Sequence, residues 1–238
     1  MNNTENLRIT ALADCTVPYL CDFLSRFIYP WEMVGEIKNF AEELVKYGLE
    51  GFHKLSDGVL IGENVTIHPS ATIIGPTVIG AECEVRPGAY IRGGVITGKG
   101  CVIGNSSELK NCILLESVAL PHYNYVGDSF IGNRVHLGAG TICSNLKTDG
   151  SSVVIHGDGV EIDTGLRKLG ACLGDTVDVG SGCVLNPGTV IGKGSSVYPL
   201  TALRGVYPDR AIIKSRHEVT TVPRWDEERG QRTSPDKG

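Results

Sequence analysis

The sequence is short of aromatic residues, has no long apolar run and carries no excess of positive charge. Its 238 residues include 5 Phe, 2 Trp and 8 Tyr, and 22 Lys and Arg stand against 27 Asp and Glu, for a net charge of −5. Without a basic field, binding to nucleic acid or to a membrane surface is not expected. No apolar run reaches the roughly 20 residues of a membrane-spanning helix. The N-terminal segment MNNTENLRIT lacks the basic and apolar regions of a secretory signal, so we expect a cytoplasmic protein.

The spacing of the cysteines bears on metal sites and disulfides. The eight residues are Cys15, Cys21, Cys83, Cys101, Cys112, Cys143, Cys172 and Cys183. No two of them make a C-x-x-C pair, so the sequence indicates neither a zinc ribbon nor a disulfide framework. We therefore expect reduced thiols that serve as small apolar residues, and no metal site.

Glycine, in contrast, is abundant and unevenly distributed. Of the 31 glycines, 26 fall within residues 58–205, whereas residues 1–57 contain 3 glycines and 8 of the 15 aromatic residues. The typical share of glycine is roughly 7% of residues. Two compositions in one chain predict two structural units.

The glycine-rich part contains a six-residue repeat. An aliphatic residue recurs at every sixth position, with one threonine among them: Ile61, Ile67, Ile73, Ile79, Val85, Ile91, Thr97, Ile103, Leu109 and Leu115. This period excludes an amphipathic helix and predicts an all-β solenoid, in which three units form each triangular coil and the aliphatic residues point inward. A coil then has 18 residues, so Cys83 and Cys101 should stack inside neighbouring coils. Glycine supplies the positive φ of tight corners.

The repeat is interrupted twice. Its phase slips between Leu115 and Ile131, which predicts an excursion at about 116–130 with extra residues bulging out around His122. The pattern is lost again between Leu137 and Leu173, which predicts a second excursion at about 143–172. Function tends to be located where loops leave a rigid scaffold. Residues 206–238 are expected to form a C-terminal extension with a frayed tail.

Residues 1–57 have a helical pattern instead. Apolar residues at helical spacing follow Pro30, which suits a first turn, and Gly48 suits a helix end. An earlier apolar segment, 17–27, predicts a shorter helix. We expect this segment to form a helical cap over the first coil, because terminal solenoid units need covering. A ligand-binding N-terminal domain is the alternative.

Several motifs within residues 58–216 resemble a known family. They are RPGA at 86–89, GN at 104–105 followed by ELKN at 108–111, HYNYVGDS at 122–129, LGAGTI at 137–142 and DTGLRKLG at 163–170. The hexapeptides are similar to those of the left-handed parallel β-helix acyltransferases. The motifs resemble the acetyltransferase part of bifunctional enzymes that acetylate glucosamine 1-phosphate and then uridylylate it, and of archaeal sugar-phosphate nucleotidylyltransferases.

The resemblance implies an acetyl-CoA-dependent N-acetyltransferase acting on an amino-sugar phosphate or a nucleotide-linked amino sugar, with sites between the protomers of a homotrimer. The family's large nucleotidyltransferase domain has no counterpart in the sequence, so no nucleotidyl transfer is expected. His122 matches the catalytic histidine, and imidazole titrates in the range that suits a general base.

The resemblance also implies binding residues. Arg86 and Lys110 match the anchors of the acceptor's phosphate, and both follow an inward aliphatic residue and so face outward. Tyr125 is expected to donate a hydrogen bond to the acceptor. Asn145 resembles an asparagine that reaches the acceptor from a neighbouring subunit, and His136 stands where relatives have an asparagine that touches the sugar.

Three further positions resemble the surroundings of acetyl-CoA in the family. Ala139 and Ser181 match a backbone amide and a hydroxyl near the cosubstrate, and Arg216 matches a basic residue near its phosphates.

The sequence also departs from the family. Leu146 and Lys147 replace a Tyr-Asp pair, and lysines that relatives carry slightly later are absent. Glucosamine 1-phosphate, galactosamine 1-phosphate, a nucleotide-linked amino sugar or no acceptor at all therefore stay open. The rival hypothesis is a catalytically inactive trimeric scaffold that binds a sugar nucleotide or a protein. A zinc carbonic anhydrase on the same fold is disfavoured, because the six histidines lack the H-x4-H pair of those enzymes.

Overall fold

The computed structural model describes residues 4–157 and 159–215. Two segments of 3-10 helix, Glu5–Leu7 and Pro30–Met33, accompany the helices α1 (Ile9–Leu12), α2 (Pro18–Leu24) and α3 (Ile37–Tyr47). No helix among these described residues is long and apolar enough to cross a lipid bilayer.

The rest of the described chain is built from short strands. In chain order they are β1 (His53–Ser56), β2 (Val59–Ile61), β3 (Thr66–Ile67), β4 (Thr72–Ile73), β5 (Thr77–Ile79), β6 (Glu84–Val85), β7 (Tyr90–Ile91), β8 (Val95–Thr97), β9 (Val102–Asn105), β10 (Glu108–Leu114), β11 (Ala119–His122), β12 (Tyr125–Ile131), β13 (His136–Leu137), β14 (Ile142–Cys143), β15 (Val154–Gly157), β16 (Val160–Asp163), β17 (Ala171–Leu173), β18 (Asp178–Val179), β19 (Val184–Leu185), β20 (Thr189–Ile191), β21 (Ser196–Val197), β22 (Ala202–Leu203), β23 (Val206–Tyr207) and β24 (Ile212–Ile213).

These strands wind into about eight coils with three flat sides. Side 1 contains β2, β5, β8, β17, β20, β23 and the second halves of β10 and β12. Side 2 contains β3, β6, β9, β11, β13, β18, β21 and β24, and side 3 contains β4, β7, β14, β19, β22 and the first halves of β10 and β12. Within each side the strands pair in parallel. The predicted left-handed parallel β-helix of hexapeptide repeats is confirmed.

The inward aliphatic residues form one continuous core through the coils. Val85 lies beside Ile103 and Leu109 beside Val126 in the strand register, and all four side chains are buried. Burying such a side chain contributes about 1.5–3 kcal/mol. The predicted stacking of Cys83 and Cys101 is confirmed, since the backbone N–H of Cys101 donates to Cys83 Sγ at 3.2 Å. All eight cysteines are free thiols.

The predicted bulge at about 116–130 is wrong. The inward residue after Leu109 is Leu114, not Leu115, and Leu114 pairs with Ile131. Two successive coils are each one residue shorter than the others, because the corner from side 3 to side 1 is tighter there. Asn111 and Asp128 make that corner with φ of 47° and 48°. His122 consequently lies at a corner of the wall, at the end of β11, and not in a protruding loop.

The second interruption of the repeat is a chain excursion between β14 and β17. It contains the antiparallel hairpin β15–β16. Val153 and Ile155 pack on the outer surface of side 1 near Val190. The excursion closes at its base, where the Leu169 N–H donates to the Asn145 carbonyl at 3.0 Å.

The N-terminal helices lie along side 1 and not over the end of the first coil. Their buried residues pack against outward side chains of that side, among them Leu60, Ile96 and Phe130. The Tyr19 hydroxyl donates to the Thr97 carbonyl at 2.6 Å, which fastens α2 to the wall. The first coil is covered by β1, which pairs antiparallel with β2. The predicted helical cap therefore takes a different place, because side 1 presents the apolar outer surface that a helix can bury.

Candidate functional site

Three polar residues stack at the corner from side 3 to side 1. Asn111, Asp128 and Asn145 occupy this corner in successive coils, 17 residues apart. Asn111 Nδ2 donates to Asp128 Oδ1 at 2.8 Å, and Asn145 Nδ2 donates to Asp128 Oδ2. Lys110 Nζ lies 3.4 Å from Asp128 Oδ2. Asp128 is only 4% exposed. A carboxylate that is this deeply buried needs such partners, so we call these four residues the Asp128 cluster.

Tyr125 lies against this cluster on side 3. A Cβ on Gly127 would come within 2.5 Å of Tyr125 Oη and 2.8 Å of Asn145 Nδ2, so only glycine leaves room for both. Burial, followed by the negative charge of Asp128, raises the pKa of Tyr125. The phenol therefore remains a hydrogen-bond donor at neutral pH.

A row of outward residues runs along side 3 next to the cluster. The row consists of Arg92, Lys110, Gly127, Ser144, Asn186 and Arg204, each following the inward residue of its coil. The Arg92 N–H donates to the Leu109 carbonyl at 2.8 Å, so Arg92 directly precedes Lys110 in the row. Its guanidinium is 2.6 Å from Glu108, and its side chain is 41% exposed.

Arg86 is not brought next to Lys110. It lies on side 2, where its guanidinium pairs with Glu84 at 3.0 Å. Residues 86 and 110 are four hexapeptides apart, which is not a whole number of three-sided coils. Arg92 is the arginine that adjoins Lys110. The two residues are 18 positions apart in the sequence, which is one full coil, and this spacing indicates that they are neighbours.

His122 lies at the corner from side 2 to side 3. Its backbone is fixed, since its N–H donates to Asn124 Oδ1 at 3.2 Å and its carbonyl accepts from the Gly140 N–H at 3.0 Å. Asn124 is itself buried and donates to the Gly138 carbonyl at 2.9 Å. The imidazole is exposed and has no hydrogen-bond partner within residues 4–157 and 159–215. A free imidazole on a rigid backbone can accept a proton from a bound molecule.

Ala139 and Ser181 follow His122 at the same corner of the next coils. The Gly140 N–H donates to the His122 carbonyl at 3.0 Å and the Gly182 N–H to the Ala139 carbonyl at 2.8 Å, which stacks the three residues. Ala139 and Ser181 therefore lie in line with His122 along the solenoid. Arg216 lies outside the described residues.

His136 is separate from the Asp128 cluster. It projects from side 2, and its Nδ1 is 2.8 Å from Asp178 Oδ1 of the next coil. Within one protomer, the predicted acceptor residues thus fall into two groups. Lys110, Tyr125 and Asn145 come together, whereas Arg86 and His136 lie on another side.

A cleft of about 350 Å³ opens beside Asn145, between side 3 and the start of the excursion. Its lining includes Ser144, Lys147, Asp149, Asn186 and Arg204. The sequence did not predict Arg204 or Asn186 as residues of a candidate site. No group of three potential metal-ligating side chains occurs in the part of the chain that the structure describes.

Known proteins resemble the region that holds these residues. The family model of the GMPPB C-terminal domain matches residues 73–171. The bifunctional protein GlmU of Methanococcus maripaludis is 34% identical over 172 residues, which are 71% of this chain and 42% of that protein. A bifunctional sugar-1-phosphate nucleotidylyltransferase/acetyltransferase of Sulfurisphaera tokodaii is 41% identical over 97 residues, which are 41% of this chain and 24% of that protein. The chain thus spans less than half the length of these relatives.

Among solved structures, PerB from Caulobacter crescentus in complex with CoA and GDP-perosamine is 19% identical, with a TM-score of 0.38. The match covers 61% of this chain and 51% of PerB.

The repeat, the all-parallel three-sided coils and the corner residues define a hexapeptide-repeat solenoid. The chain resembles the acyltransferases of the left-handed β-helix fold. Among them, it is similar to the acetyltransferase part of the GlmU proteins and of the archaeal nucleotidylyltransferase/acetyltransferases.

Proposed function

We propose that the protein is an acetyl-CoA-dependent N-acetyltransferase that acts on an amino-sugar phosphate or a nucleotide-linked amino sugar. The observation that carries the proposal is the exposed imidazole of His122, three residues before Tyr125 and on the coil that also bears Asp128. Similarity to a protein named as a bifunctional sugar-1-phosphate nucleotidylyltransferase/acetyltransferase supports the same chemistry.

His122 would act as the general base. The acceptor's amine nitrogen attacks the thioester carbonyl, a C–N bond forms, and the C–S bond breaks. His122 Nε2 or Nδ1 takes the proton that the nitrogen loses and returns it to the departing CoA thiolate. General base catalysis of this kind contributes about 10²–10⁴-fold.

Two cations of the row on side 3, Arg92 and Lys110, would bind the acceptor's anionic group. Arg92 and Lys110 adjoin each other, and both are outward and partly exposed. Each is partly neutralised by a carboxylate, Glu108 or Asp128, so the positive charge is modest but local. We assign Arg92 to the role that the sequence suggested for Arg86. Tyr125 would donate a hydrogen bond to the acceptor beside these cations.

Acetyl-CoA would lie along the corner of His122, Ala139 and Ser181. A role for Arg216 at its phosphates stays a prediction from the sequence. We propose a homotrimer with its sites between protomers. Asn145 bonds Asp128 within its own protomer, so its contribution to the site would be to hold the cluster that positions Lys110. His136 of one protomer would approach the acceptor bound by another.

The test is release of free thiol from acetyl-CoA while amino-sugar 1-phosphates and nucleotide-linked amino sugars are offered in turn. His122→Ala should lose about 10²-fold or more of the rate. His53→Ala is the matched control, since His53 is an exposed histidine on β1, outside the proposed site. If the wild-type protein is inactive on every acceptor while a sugar nucleotide still binds, the scaffold hypothesis replaces this one.

A further inference from the structure

The row on side 3 extends beyond the proposed acceptor anchors. From Lys110 it continues through Gly127, Ser144 and Asn186 to Arg204, one coil at a time. Neighbouring parallel strands are about 4.8 Å apart, so the backbones of Lys110 and Arg204 are separated by about 19 Å. Cations thus stand at both ends of the row, and small or neutral residues stand between them.

The side chain of Arg204 is exposed to solvent, where a ligand can contact it. Within the described ranges 4–157 and 159–215, its guanidinium has no carboxylate within 4.0 Å, unlike Arg86 and Arg92. It lines the cleft of about 350 Å³ together with Asn186, whose Nδ2 is fixed on the Leu203 carbonyl at 2.9 Å.

The other wall of the cleft is the first turn of the excursion. Lys147 Nζ donates to Ser151 Oγ at 2.5 Å and to the Ser152 carbonyl at 3.2 Å, which folds the turn. Asp149 accepts from the N–H and hydroxyl of Ser151 at 3.0 and 2.8 Å. Lys147 Nζ also lies 3.9 Å from Asp149 Oδ2, so these two charges offset each other and Arg204 leaves the cleft positive in a chain whose net charge is −5. A built pocket of this charge suits a phosphate-bearing group.

We propose that this cleft binds the nucleoside phosphate part of a nucleotide-linked amino sugar, with Arg204 contacting the phosphate nearer the nucleoside. This inference rests on the proposed function, and it selects among the acceptors left open above. Lys110 is held at Asp128, so a hexose 1-phosphate bound there does not reach the Arg204 end of the row, whereas a nucleoside diphosphate sugar is long enough to span it. The cleft is contiguous with the Asp128 cluster, because Ser144 lines it and Asn145 belongs to the cluster.

The first test is direct binding, which does not depend on acetyl transfer. Uridine diphosphate and guanosine diphosphate are each titrated into the full chain by calorimetry, with inorganic phosphate and CoA as separate probes. Arg204→Gln should weaken binding of the nucleoside diphosphate about tenfold or more, the effect of losing a charge-assisted hydrogen bond. Arg134→Gln is the matched control, since Arg134 is exposed at the corner between sides 1 and 2. Equal binding by both variants, or binding of inorganic phosphate as tight as that of the nucleotide, overturns the inference.

The second test compares two acceptors in the acetyl-transfer assay. Arg204→Gln should lower kcat/KM for a nucleotide-linked amino sugar about tenfold or more relative to kcat/KM for the matching 1-phosphate. Efficient transfer to the 1-phosphate alone supports the proposed function but overturns this inference. Nucleotide binding that depends on Arg204 without any transfer supports the cleft and contradicts the proposed reaction.

Discussion

Asn111 and Asp128 occupy the same corner of successive coils, and the amide of one donates to the carboxylate of the other at 2.8 Å. Both have left-handed backbone conformations, at φ 47° and 48°. This pair both shortens two coils and holds the carboxylate that Lys110 and Asn145 also contact. One corner therefore determines the register of the wall and the position of Lys110, the proposed acceptor anchor.

Removal of the carboxylate should destabilise the fold. Asp128→Ala leaves buried amide donors and Lys110 without their acceptor, so the free energy of unfolding should fall by about 2–4 kcal/mol in urea titrations. Asp128→Asn preserves the shape and should cost less. Ser117→Ala, at an exposed position with φ 58°, controls for placing alanine in this backbone conformation. An Asp128→Ala loss no greater than that of Ser117→Ala would show that the corner does not depend on the carboxylate.

The two arginines should differ in function. Arg92→Ala should raise KM for a phosphate-bearing acceptor about tenfold, because Arg92 adjoins Lys110 on side 3. Arg86→Ala removes a partly exposed ion pair from side 2 and serves as the comparison. Steady-state kinetics with a fixed concentration of acetyl-CoA measures both. If Arg86→Ala gives the larger increase, the acceptor is bound on side 2.

Thiol chemistry should separate the cysteines into two groups. Cys15 and Cys21 are partly exposed, with their sulfurs 2.9 Å apart, and the other six cysteines are buried. Burial, followed by a hydrogen bond with Cys21, raises the pKa of Cys15 to about 12. A water-soluble aromatic disulfide reagent should therefore label at most two thiols in the folded protein, slowly at Cys15, and eight in urea. The Cys15→Ser/Cys21→Ser variant should show no labelling before unfolding; fast labelling of a third thiol would contradict the burial.

Stability should decline at alkaline pH. Burial raises the pKa of Cys143 and of Cys172 to about 12, from an ordinary value of 9.0. Between these values the folded state holds protons that the unfolded state releases, so stability is complete below pH 9 and falls as the pH rises toward 12. The slope is up to about 1.4 kcal/mol per pH unit for each thiol.

Urea titrations at pH 8, 9 and 10 measure this slope. Cys143→Ala should show a shallower decline than the wild-type protein. Val126→Ala, which also opens the core of side 3, should be destabilised equally at every pH and keep the wild-type slope. Parallel slopes for the wild-type protein and Cys143→Ala would exclude ionisation of this thiol as a cause.

The repeat predicted the solenoid because an inward position tolerates only apolar or small side chains, and such constraints are visible in sequence. The repeat did not show which of Leu114 and Leu115 points inward, because both leucines are apolar and both are buried. Leu114 points into the coil, and Leu115 belongs to the cluster with the N-terminal helices. Adjacent leucines cannot be told apart when both sides of a wall are covered.

The candidate site was predictable only in part for a related reason. Motifs identified His122 and Tyr125, and outward orientation followed from the repeat. The side on which a residue lies requires the coil count, which separates Arg86 from Arg92. After Asn145 the excursion interrupts the six-residue repeat, so coils cannot be counted from the sequence and Arg204 could not be assigned to the row without the structure.

The excursion begins and ends at one point of the wall. The Asn145 carbonyl accepts from Leu169, and the Gly170 N–H donates to the Asp128 carbonyl at 2.8 Å, so the stack of coils resumes as if nothing had been inserted. Lengthening a loop whose ends are already joined costs little, about 0.6 kcal/mol per doubling of its length. Descendants of this chain could therefore exchange the turn that carries Lys147 and Asp149, and so acquire new ligand preferences, while the His122 corner stays unaltered.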